Sequence, residues 1–384
     1  MESMEHALRQ TQERVQDALA RRVPLRLRGG GSKDFYGQSL QGEVLDTRVL
    51  SGVVSYEPTE LVVTAGAGTS LAALESVLAE KGQCLPFEPP HYAYSGQGGA
   101  TVGGMVAAGL SGPARASVGS VRDYVLGLKV INGLGQHLSF GGQVMKNVAG
   151  YDVSRLMVGA MGTLGLMTEV SLKVLPLAPA QATLQFELPQ AQALEQLHRW
   201  GGLPRPLNAS CWVRDATGTG ASGRELLFVR LAGAVAAVEA ACRTLLADQA
   251  GQRVDPDQAR TDWNACRDHG LPFFTHAPDP DLVLWRVSLP QTAPVLDLPW
   301  ATLVEWHGGL RWLWAPLAEA DGLQKQARAL GGFAMPFIAA PALSMGSMAY
   351  FNAENKTLLT VHQRLKDSFD PHGIFNPGRW LAGK

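Results

Sequence analysis

The distribution of glycine is the sequence feature that most restricts the fold of this 384-residue chain. Residues 1–165 contain 26 of its 43 glycines, in clusters such as Gly29-Gly30-Gly31 and Gly103-Gly104. Glycine tolerates positive φ and lets a backbone approach another backbone or a ligand closely, at an entropic cost in the unfolded chain. We therefore expect the first part of the chain to build loops around a bound molecule.

The first cluster, Arg28-Gly29-Gly30-Gly31-Ser32-Lys33, follows an alternating, strand-like segment at residues 25–28. Three consecutive glycines expose successive backbone N–H groups, which can form a concave anion-binding nest. The Ser32 hydroxyl and the charge of Arg28 or Lys33 can add to it. A tight turn without a ligand is the competing interpretation, because glycine runs are common in turns.

Two further glycine-rich segments cover residues 96–109 and 146–169. The first of them is not a Gly-x-Gly-x-x-Gly dinucleotide fingerprint, since it follows no clear strand and lacks an acidic residue about 20 positions on. The turn Gly66-Ala67-Gly68 does follow a strand but lacks the third glycine. Three glycine-rich loops between short strands are more specific together than any one alone, and a Rossmann nicotinamide site is disfavoured.

Hydrophobic periodicity predicts short strands interleaved with helices in the first 175 residues. The first helix is predicted over residues 4–20, with Met4, Leu8, Thr11, Val15 and Leu19 on one side. Strands are predicted at 25–28, 43–46, 51–56 and 61–65, and a helix runs from Leu71 to a stop at Gly82. This order indicates an α+β domain.

The rest of the chain is predicted to form an antiparallel sheet with helices on one face. Its predicted strands are 182–188, 209–213, 225–232, 282–288, 302–306, 310–314 and 333–338, and its predicted helices are 191–200, 235–249, 321–330 and 353–369. Residues 218–223 are predicted as a flexible hairpin tip. Residues 250–280, rich in Asp and Pro, are predicted as an irregular linker with a short helix near Trp263.

Composition excludes several classes of protein. A net charge of −1 argues against a nucleic-acid partner, because such proteins carry a basic excess. The cysteines at 84, 211, 242 and 266 are too far apart for a zinc ribbon or an iron–sulfur cluster, so no metal is expected. The sequence shows neither an apolar run of about 18 residues nor a secretion signal, so a cytoplasmic location is expected.

Several segments together resemble FAD-linked oxidases of the D-lactate dehydrogenase and glycolate oxidase type, in the vanillyl-alcohol oxidase superfamily. These segments are Arg28–Ser32, Leu61–Gly82, Ala100–Gly104, Ser117–Gly127, Gly159–Glu169 and Phe369–Arg379. The resemblance covers nearly the whole chain and is closest for residues 25–175. Lys146–Leu156 and the shortened second half are most similar to the FAD-binding E subunits of bacterial glycolate oxidase (glycolate dehydrogenase).

The resemblance implies a PCMH-type FAD-binding domain of two α+β subdomains at residues 1–175. A reduced, antiparallel α+β cap domain at 176–350 and a segment at 351–384 that returns to the FAD domain would follow. The implied FAD-binding residues are Arg28, Gly29, Gly30, Gly31, Ser32, Thr101, Val102, Gly103, Gly104, Ser117, Gly119, Asp123, Gly162, Gly165, Leu166 and Asn376.

The resemblance also implies a role for each group of these residues. Arg28–Ser32 would hold the diphosphate, and Thr101, Gly103 and Gly104 would pack on the diphosphate and ribityl region. Gly162, Gly165 and Leu166 would lie near the adenine, and Asn376 close to the flavin ring. The glycine turn has no adjacent histidine of the kind that carries covalent flavin in some relatives, so non-covalent FAD is expected.

The chain departs from the catalytic members of the family in its second half. Their His-rich substrate motif is replaced by Trp306-His307-Gly308-Gly309-Leu310-Arg311, and their Glu-His-Gly by 334–341, which contains neither Glu nor His. His307 and Arg311 are the candidates for base and carboxylate anchor, and strand parity would allow both on one face. A packing role for a lone His among tryptophans is the stronger interpretation. Trp312 and Trp314 are assigned to core or to a subunit interface with equal weight.

Three functional hypotheses follow. The first is an accessory or electron-relaying FAD subunit of a glycolate oxidase complex, which pairs with a catalytic FAD subunit and an iron–sulfur subunit and reaches the inner face of a membrane only through them. The second is an autonomous FAD-dependent oxidoreductase for 2-hydroxy acids such as D-lactate or glycolate. The third is a scaffold subunit with an empty FAD site.

Overall fold

The structure is a computed structural model that describes residues 2–38, 41–92, 99–142, 152–215, 223–338 and 356–379. The parts of the predicted loops at 96–98, 146–151 and 218–222 lie outside the described residues. Contacts divide the chain into two compact units. The first unit comprises residues within 1–110, 120–176 and 347–384, and the second comprises 111–119 and 177–346. Among the described residues, no helix combines the length and apolar character needed to cross a membrane.

The helices and strands are numbered along the chain. The helices are α1 (Glu2–Arg21), α2 (Leu71–Ala79), α3 (Val102–Ala108), α4 (Arg115–Val118), α5 (Val121–Tyr124), α6 (Val153–Leu156), α7 (Gln190–Gly201), α8 (Val235–Asp248), α9 (Pro256–Arg267), α10 (Pro272–Thr275), α11 (Ala320–Ala329) and α12 (Lys356–Phe369). The strands are β1 (Leu25–Arg28), β2 (Glu43–Asp46), β3 (Val53–Glu57), β4 (Val62–Gly66), β5 (Gln83–Cys84), β6 (Val125–Ile131), β7 (His137–Gly141), β8 (Leu166–Lys173), β9 (Leu175–Pro176), β10 (Ala180–Glu187), β11 (Leu207–Asp215), β12 (Arg224–Gly233), β13 (Gly251–Arg253), β14 (Leu282–Ser288), β15 (Thr302–Glu305), β16 (Leu310–Pro316) and β17 (Phe333–Ile338).

The first unit contains a five-stranded sheet and the two-stranded sheets β1-β2 and β5-β9, in agreement with the α+β prediction. A parallel pair, β1 and β2, precedes a five-stranded antiparallel sheet in the order β3-β4-β8-β6-β7. Helices α2 and α3 bury their apolar residues against that sheet, in a core that includes Leu74, Met105 and Val170. Glycine-rich segments therefore follow the ends of β1 and β4.

Helix α1 and the C-terminal segment enclose β1. The helix buries Thr11 and Val15, two of the residues predicted to face inward, in a small core with Leu25 and Phe375. The backbone N–H of Leu25 donates to the carbonyl of Ile374 over 2.6 Å, and Asn376 donates back to Leu25 over 2.9 Å. The segment after α12 therefore runs beside β1 within the first unit.

The second unit is an eight-stranded sheet in the order β13-β10-β12-β11-β15-β16-β14-β17, and its recorded strand pairs are antiparallel. The antiparallel prediction is confirmed, but the prediction of helices on one face is wrong. Leu184 on β10 packs in the core formed with α7 and α8, whereas its neighbour Thr183 accepts a hydrogen bond from Trp263 of α9. Because adjacent strand residues point to opposite faces, α9 covers the other side.

The short helix predicted near Trp263 is confirmed as α9, but the rest of the predicted linker at 250–280 is corrected, since it also contains β13 and α10. Asp255 caps α9 by accepting hydrogen bonds from the backbone N–H groups of Asp257 and Gln258, and Pro256 occupies the first turn. Asp followed by Pro is a helix-start signal, because the carboxylate satisfies free N–H groups and proline fixes a helical φ. The composition of the segment concealed that signal.

Candidate cofactor site

The loop after β1 is held in a fixed shape by ion pairs. The Asp34 carboxylate accepts hydrogen bonds from Arg26 Nη2 at 2.7 Å and from Arg28 Nε at 2.9 Å. Gly31, with φ of +78°, lies in the left-handed region, where glycine avoids the penalty that a side chain would bring. The glycine cluster is thus a closed loop with two guanidinium groups at its base.

Arg379, from the C-terminal segment, braces the same loop. Its Nη1 donates to the carbonyl of Gln38 at 2.6 Å and its Nη2 to the carbonyl of Lys33 at 3.2 Å. The Arg379 side chain is buried, so these bonds are shielded from water. The loop shape therefore depends on residues more than 300 positions away in sequence.

The start of α3 lies against this loop. Thr101 caps α3, because its Oγ1 accepts from the backbone N–H of Gly104 at 3.2 Å. A Cβ added at Gly29 would collide with the Thr101 hydroxyl, and one added at Gly103 would lie 2.8 Å from the Cβ of Ala67. The predicted diphosphate and ribityl segments are brought together at Gly29 and Thr101, whereas glycine at position 103 allows α3 to approach Ala67 after β4. Val102, in contrast, is a core residue.

Gly162, one of the predicted adenine-side residues, lies against Asn376 beside β1. Asn376 Oδ1 accepts from the Leu27 N–H at 2.8 Å, and its Nδ2 donates to the Met161 carbonyl at 2.8 Å. A Cβ on Gly162 would lie 2.7 Å from that Nδ2. Asn376 thus fastens the C-terminal segment to β1, and both ends of its side chain have protein partners.

Gly165 and Leu166 pack against the neighbouring strand β6. A Cβ on Gly165 would lie 2.7 Å from Val130, and Leu166 is buried in the core beneath α1. The contacts of Gly165 and Leu166 are those of residues that pack the core.

Three other predicted site residues lie close in sequence to position 119, where the second unit ends and the first unit resumes. Ser117 belongs to the second unit and contacts His307, as described below. Gly119 has φ of +97° at the end of α4. The exposed Asp123 completes a capping box, since its carboxylate accepts from the backbone N–H and hydroxyl of Ser120.

The residues of the first unit fit the dianionic diphosphate of FAD. Arg26, Arg28 and Lys33 contribute three positive charges near the loop, and the carboxylates of Asp34 and of Asp46, paired opposite Arg28 on β2, offset part of them. Successive glycine N–H groups of the loop and the first turn of α3 supply donors without intervening side chains. Arg28 and Gly29–Ser32 would hold the diphosphate, with Thr101 and Gly104 alongside.

In the second unit, His307 lies in a strained turn that its neighbours hold in place. Trp306 and His307 both adopt left-handed φ, 55° and 56°. The backbone N–H and Nδ1 of His307 both bond Ser210 Oγ at 3.0 Å, and Nε2 lies 3.1 Å from Ser117 Oγ. Burial, followed by the nearby His198, lowers the pKa of His307 to about 4. Both ring nitrogens therefore have protein partners, and the ring is a poor base at neutral pH.

The Arg311 guanidinium donates to backbone carbonyls of the protein itself. It is fully buried, and it donates to the carbonyls of Pro294 at 2.5 Å and Ala293 at 2.7 Å. Burial lowers its pKa to about 10. The expectation that His307 and Arg311 share a strand face is wrong, because a 3₁₀ turn at Trp306–Gly308 precedes β16. Trp312 and Trp314 are buried, with their indole N–H groups bonded to Glu305 and to the Phe273 carbonyl, as core residues are.

The imidazole of His307 is expected to stay neutral between about pH 8 and pH 5. Burial disfavours the charged form, so proton binding is displaced below this interval toward the pKa of about 4. NMR spectra of the ring nitrogens, with the His307 signals assigned by their loss in His307→Asn, will show no titration there. A midpoint near pH 6.5 would contradict this account of the turn.

Comparisons with known proteins agree with this geometry. Residues 7–141 match the FAD binding domain family, and residues 345–380 match the C-terminal domain of FAD linked oxidases. Glycolate oxidase subunit GlcE of Escherichia coli K12 is 44% identical over 370 residues, covering 96% of both chains. Glycolate oxidase subunit GlcD of Bacillus subtilis 168 is 32% identical, over 42% of this chain and 34% of its own length.

A solved structure of alkyldihydroxyacetonephosphate synthase shares the fold. It has a TM-score of 0.64 at 15% identity and covers 96% of this chain and 75% of its own. The chain therefore belongs to the FAD-linked oxidase family, as a relative of glycolate oxidase subunit GlcE, and its cofactor is FAD.

Proposed function

We propose that this chain is an FAD-holding, electron-relaying subunit of a complex that oxidises glycolate to glyoxylate, and is not its main substrate-oxidising subunit. One contrast carries the proposal. In the first unit, the glycine segment after β1 and its bracing residues Asp34 and Arg379 are in place, whereas His307 and Arg311 in the second unit are both engaged by the protein itself.

The chain's residues serve to bind and orient the cofactor. Bound FAD supplies a centre that accepts and releases electrons. The loop at Arg28–Ser32, held by Asp34 and Arg379, provides positive charge and backbone donors for the diphosphate. The two glycine-rich segments are already in contact, so little ordering is needed on binding. No side chain contributes a covalent link in this account, and FAD is held non-covalently.

Partners follow from the same proposal. A subunit that relays electrons needs a donor and an acceptor, and the GlcE and GlcD relatives are both named as subunits of glycolate oxidase. We assign a catalytic FAD subunit as donor and an iron–sulfur subunit as acceptor, because the described cysteines provide no cluster site. Association with the cytoplasmic face of the inner membrane would then come through those partners.

When glycolate or D-lactate is added in the absence of oxygen, the flavin of the isolated chain is expected to stay oxidised. It should do so for many times the turnover time of the purified complex. A neutral, doubly bonded His307 and an enclosed Arg311 offer neither base nor carboxylate anchor. The flavin absorbance band is the measurement, and the same chain within its purified complex is the control, where bleaching is expected. Rapid bleaching in the isolated chain would favour the alternative, an autonomous 2-hydroxy-acid oxidoreductase.

A further inference from the structure

The second unit contains a large cavity on the face of the sheet that α9 covers. Its volume is about 1060 Å³, and its floor includes Cys211, Val213, Phe228 and Leu303. Helices α9 and α10 form its walls. Cavities of about 300–1,000 Å³ lined mainly by apolar and aromatic groups are typical small-molecule sites. The proposed electron relay uses no residue of this cavity.

Small side chains keep the cavity open. Ala259 and Cys266 of α9 face Cys211 and Thr183 of the sheet, where large residues would be needed to fill the space. The opposite face of the same sheet is closely packed by residues such as Phe186 and Trp200. Protein interiors are normally packed as densely as organic crystals, so an apolar space of this size loses contact energy unless something occupies it.

Hydrogen bonds fix the aromatic walls in place. Trp263 Nε1 donates to Thr183 Oγ1 at 2.9 Å, and its ring lies under the Arg230 guanidinium, 4.8 Å from the ring centroid. Trp314 Nε1 donates to the Phe273 carbonyl at 2.8 Å. Rings held in this way present flat surfaces of fixed orientation, which suit a flat partner, because aromatic pairs gain from stacked or edge-to-face contact.

The charges at the rim select against anions. Among the described lining residues, the charged side chains are the carboxylates of Asp215 and Asp262 and the guanidinium of Arg214, and His276 is exposed to solvent. Inside, the polar groups are weak: the Cys266 thiol donates to Glu305 at 3.3 Å, and its hydrogen bond with Cys211, followed by burial, raises its pKa well above the ordinary value. A lining with two carboxylates and one guanidinium suits a neutral molecule better than an anion.

We propose that this cavity, bounded by α9, α10 and the floor at Cys211 and Phe228, binds a neutral, flat molecule built of fused aromatic rings. The site is independent of the FAD loops, and its occupant is distinct from the 2-hydroxy acid, which is small, polar and anionic. A ring system fills the space between the fixed walls that small side chains leave open.

Titration of the FAD-loaded chain with 2-naphthol, followed by saturation-transfer NMR, tests the proposal. Saturable binding is expected, at least about ten times tighter than that of 2-naphthoate, which adds a charge, or decan-1-ol, which lacks the rings; one tenfold step is about 1.4 kcal/mol. Ala259→Phe fills the cavity and is expected to weaken binding at least about tenfold. Thr261→Phe, on the exposed side of α9, is the matched control and should change binding less than about twofold.

Gln258→Trp places a large side chain at an exposed position on the rim and is likewise expected to weaken 2-naphthol binding. It tests the proposal even if Ala259→Phe fails to fold. Absence of saturable binding to the unsubstituted chain would overturn the site. Equal weakening by Thr261→Phe would do the same. Equally tight binding of 2-naphthoate or decan-1-ol would overturn the assigned ligand class.

Discussion

Purified Gly29→Val protein is expected to retain less than about a tenth of the FAD held by the unsubstituted chain, because the valine side chain occupies the space of close approach. A Cβ at this position collides with the Thr101 hydroxyl at the cap of α3. The collision separates the loop after β1 from the first turn of α3, the two segments that would share the diphosphate. Flavin absorbance relative to protein, measured after gel filtration, gives the result.

Gly201→Val is the matched control for this substitution. A Cβ at Gly201, at the end of α7 in the second unit, meets no atom within 4 Å, so the same added side chain is accommodated. Its flavin content should equal that of the unsubstituted chain. Circular dichroism separates cofactor loss from unfolding. A folded Gly29→Val protein with full flavin content would show that the loop is placed wrongly.

Asp370→Ala is expected to destabilise the first unit by roughly 3–5 kcal/mol, the usual cost of leaving a buried charge without its partner. Asp370 is almost fully buried, and its carboxylate accepts from Lys366 Nζ at 2.6 Å and from the Phe375 N–H at 2.8 Å. Lys366 is buried too, and burial lowers its pKa while Asp370 opposes that shift. Loss of the carboxylate therefore leaves an ammonium group and the backbone N–H groups of Ile374 and Phe375 without this acceptor.

Hydrogen exchange at Leu25 and Phe375 measures this effect where it should appear. Both residues belong to the pairing of β1 with the C-terminal segment that Asp370 supports. Asp367→Ala removes an exposed carboxylate from the same helix and should leave exchange almost unchanged. Equal protection in both variants would mean that the buried ion pair does not hold the C-terminal segment.

The fold was predictable where local pattern determines it. Alternation and apolar periodicity gave β1, α1 and the strands of the second unit close to their observed bounds. In the 250–280 segment only a short helix near Trp263 was predicted, because the composition resembles a linker, although Asp255-Pro256 carries the start signal for the whole of α9. Which face of the sheet α9 covers depends on long-range contacts such as Trp263 with Thr183, which no local pattern contains.

The candidate site, like the fold, was predictable from local pattern but not where it depends on long-range contacts. FAD as cofactor is confirmed by the family, and the assignment of individual residues to it stays a prediction. Glycine clusters identified the loops, but the residues that shape them, Asp34 and Arg379, were not among the predicted site residues. Arg379 belongs to the C-terminal Asn-Pro-Gly-Arg segment, which was a usable signal. The internal partners of Arg311 could not be foreseen, since they come from the backbone of a separate loop.

A flavin count on the isolated chain tests the central claim most directly. One FAD per folded chain is expected, released completely on denaturation because no covalent bond holds it, and a further FAD per catalytic subunit when the complex is purified intact. A folded chain that is colourless and does not take up added FAD would contradict the account and leave a scaffold subunit as the remaining explanation.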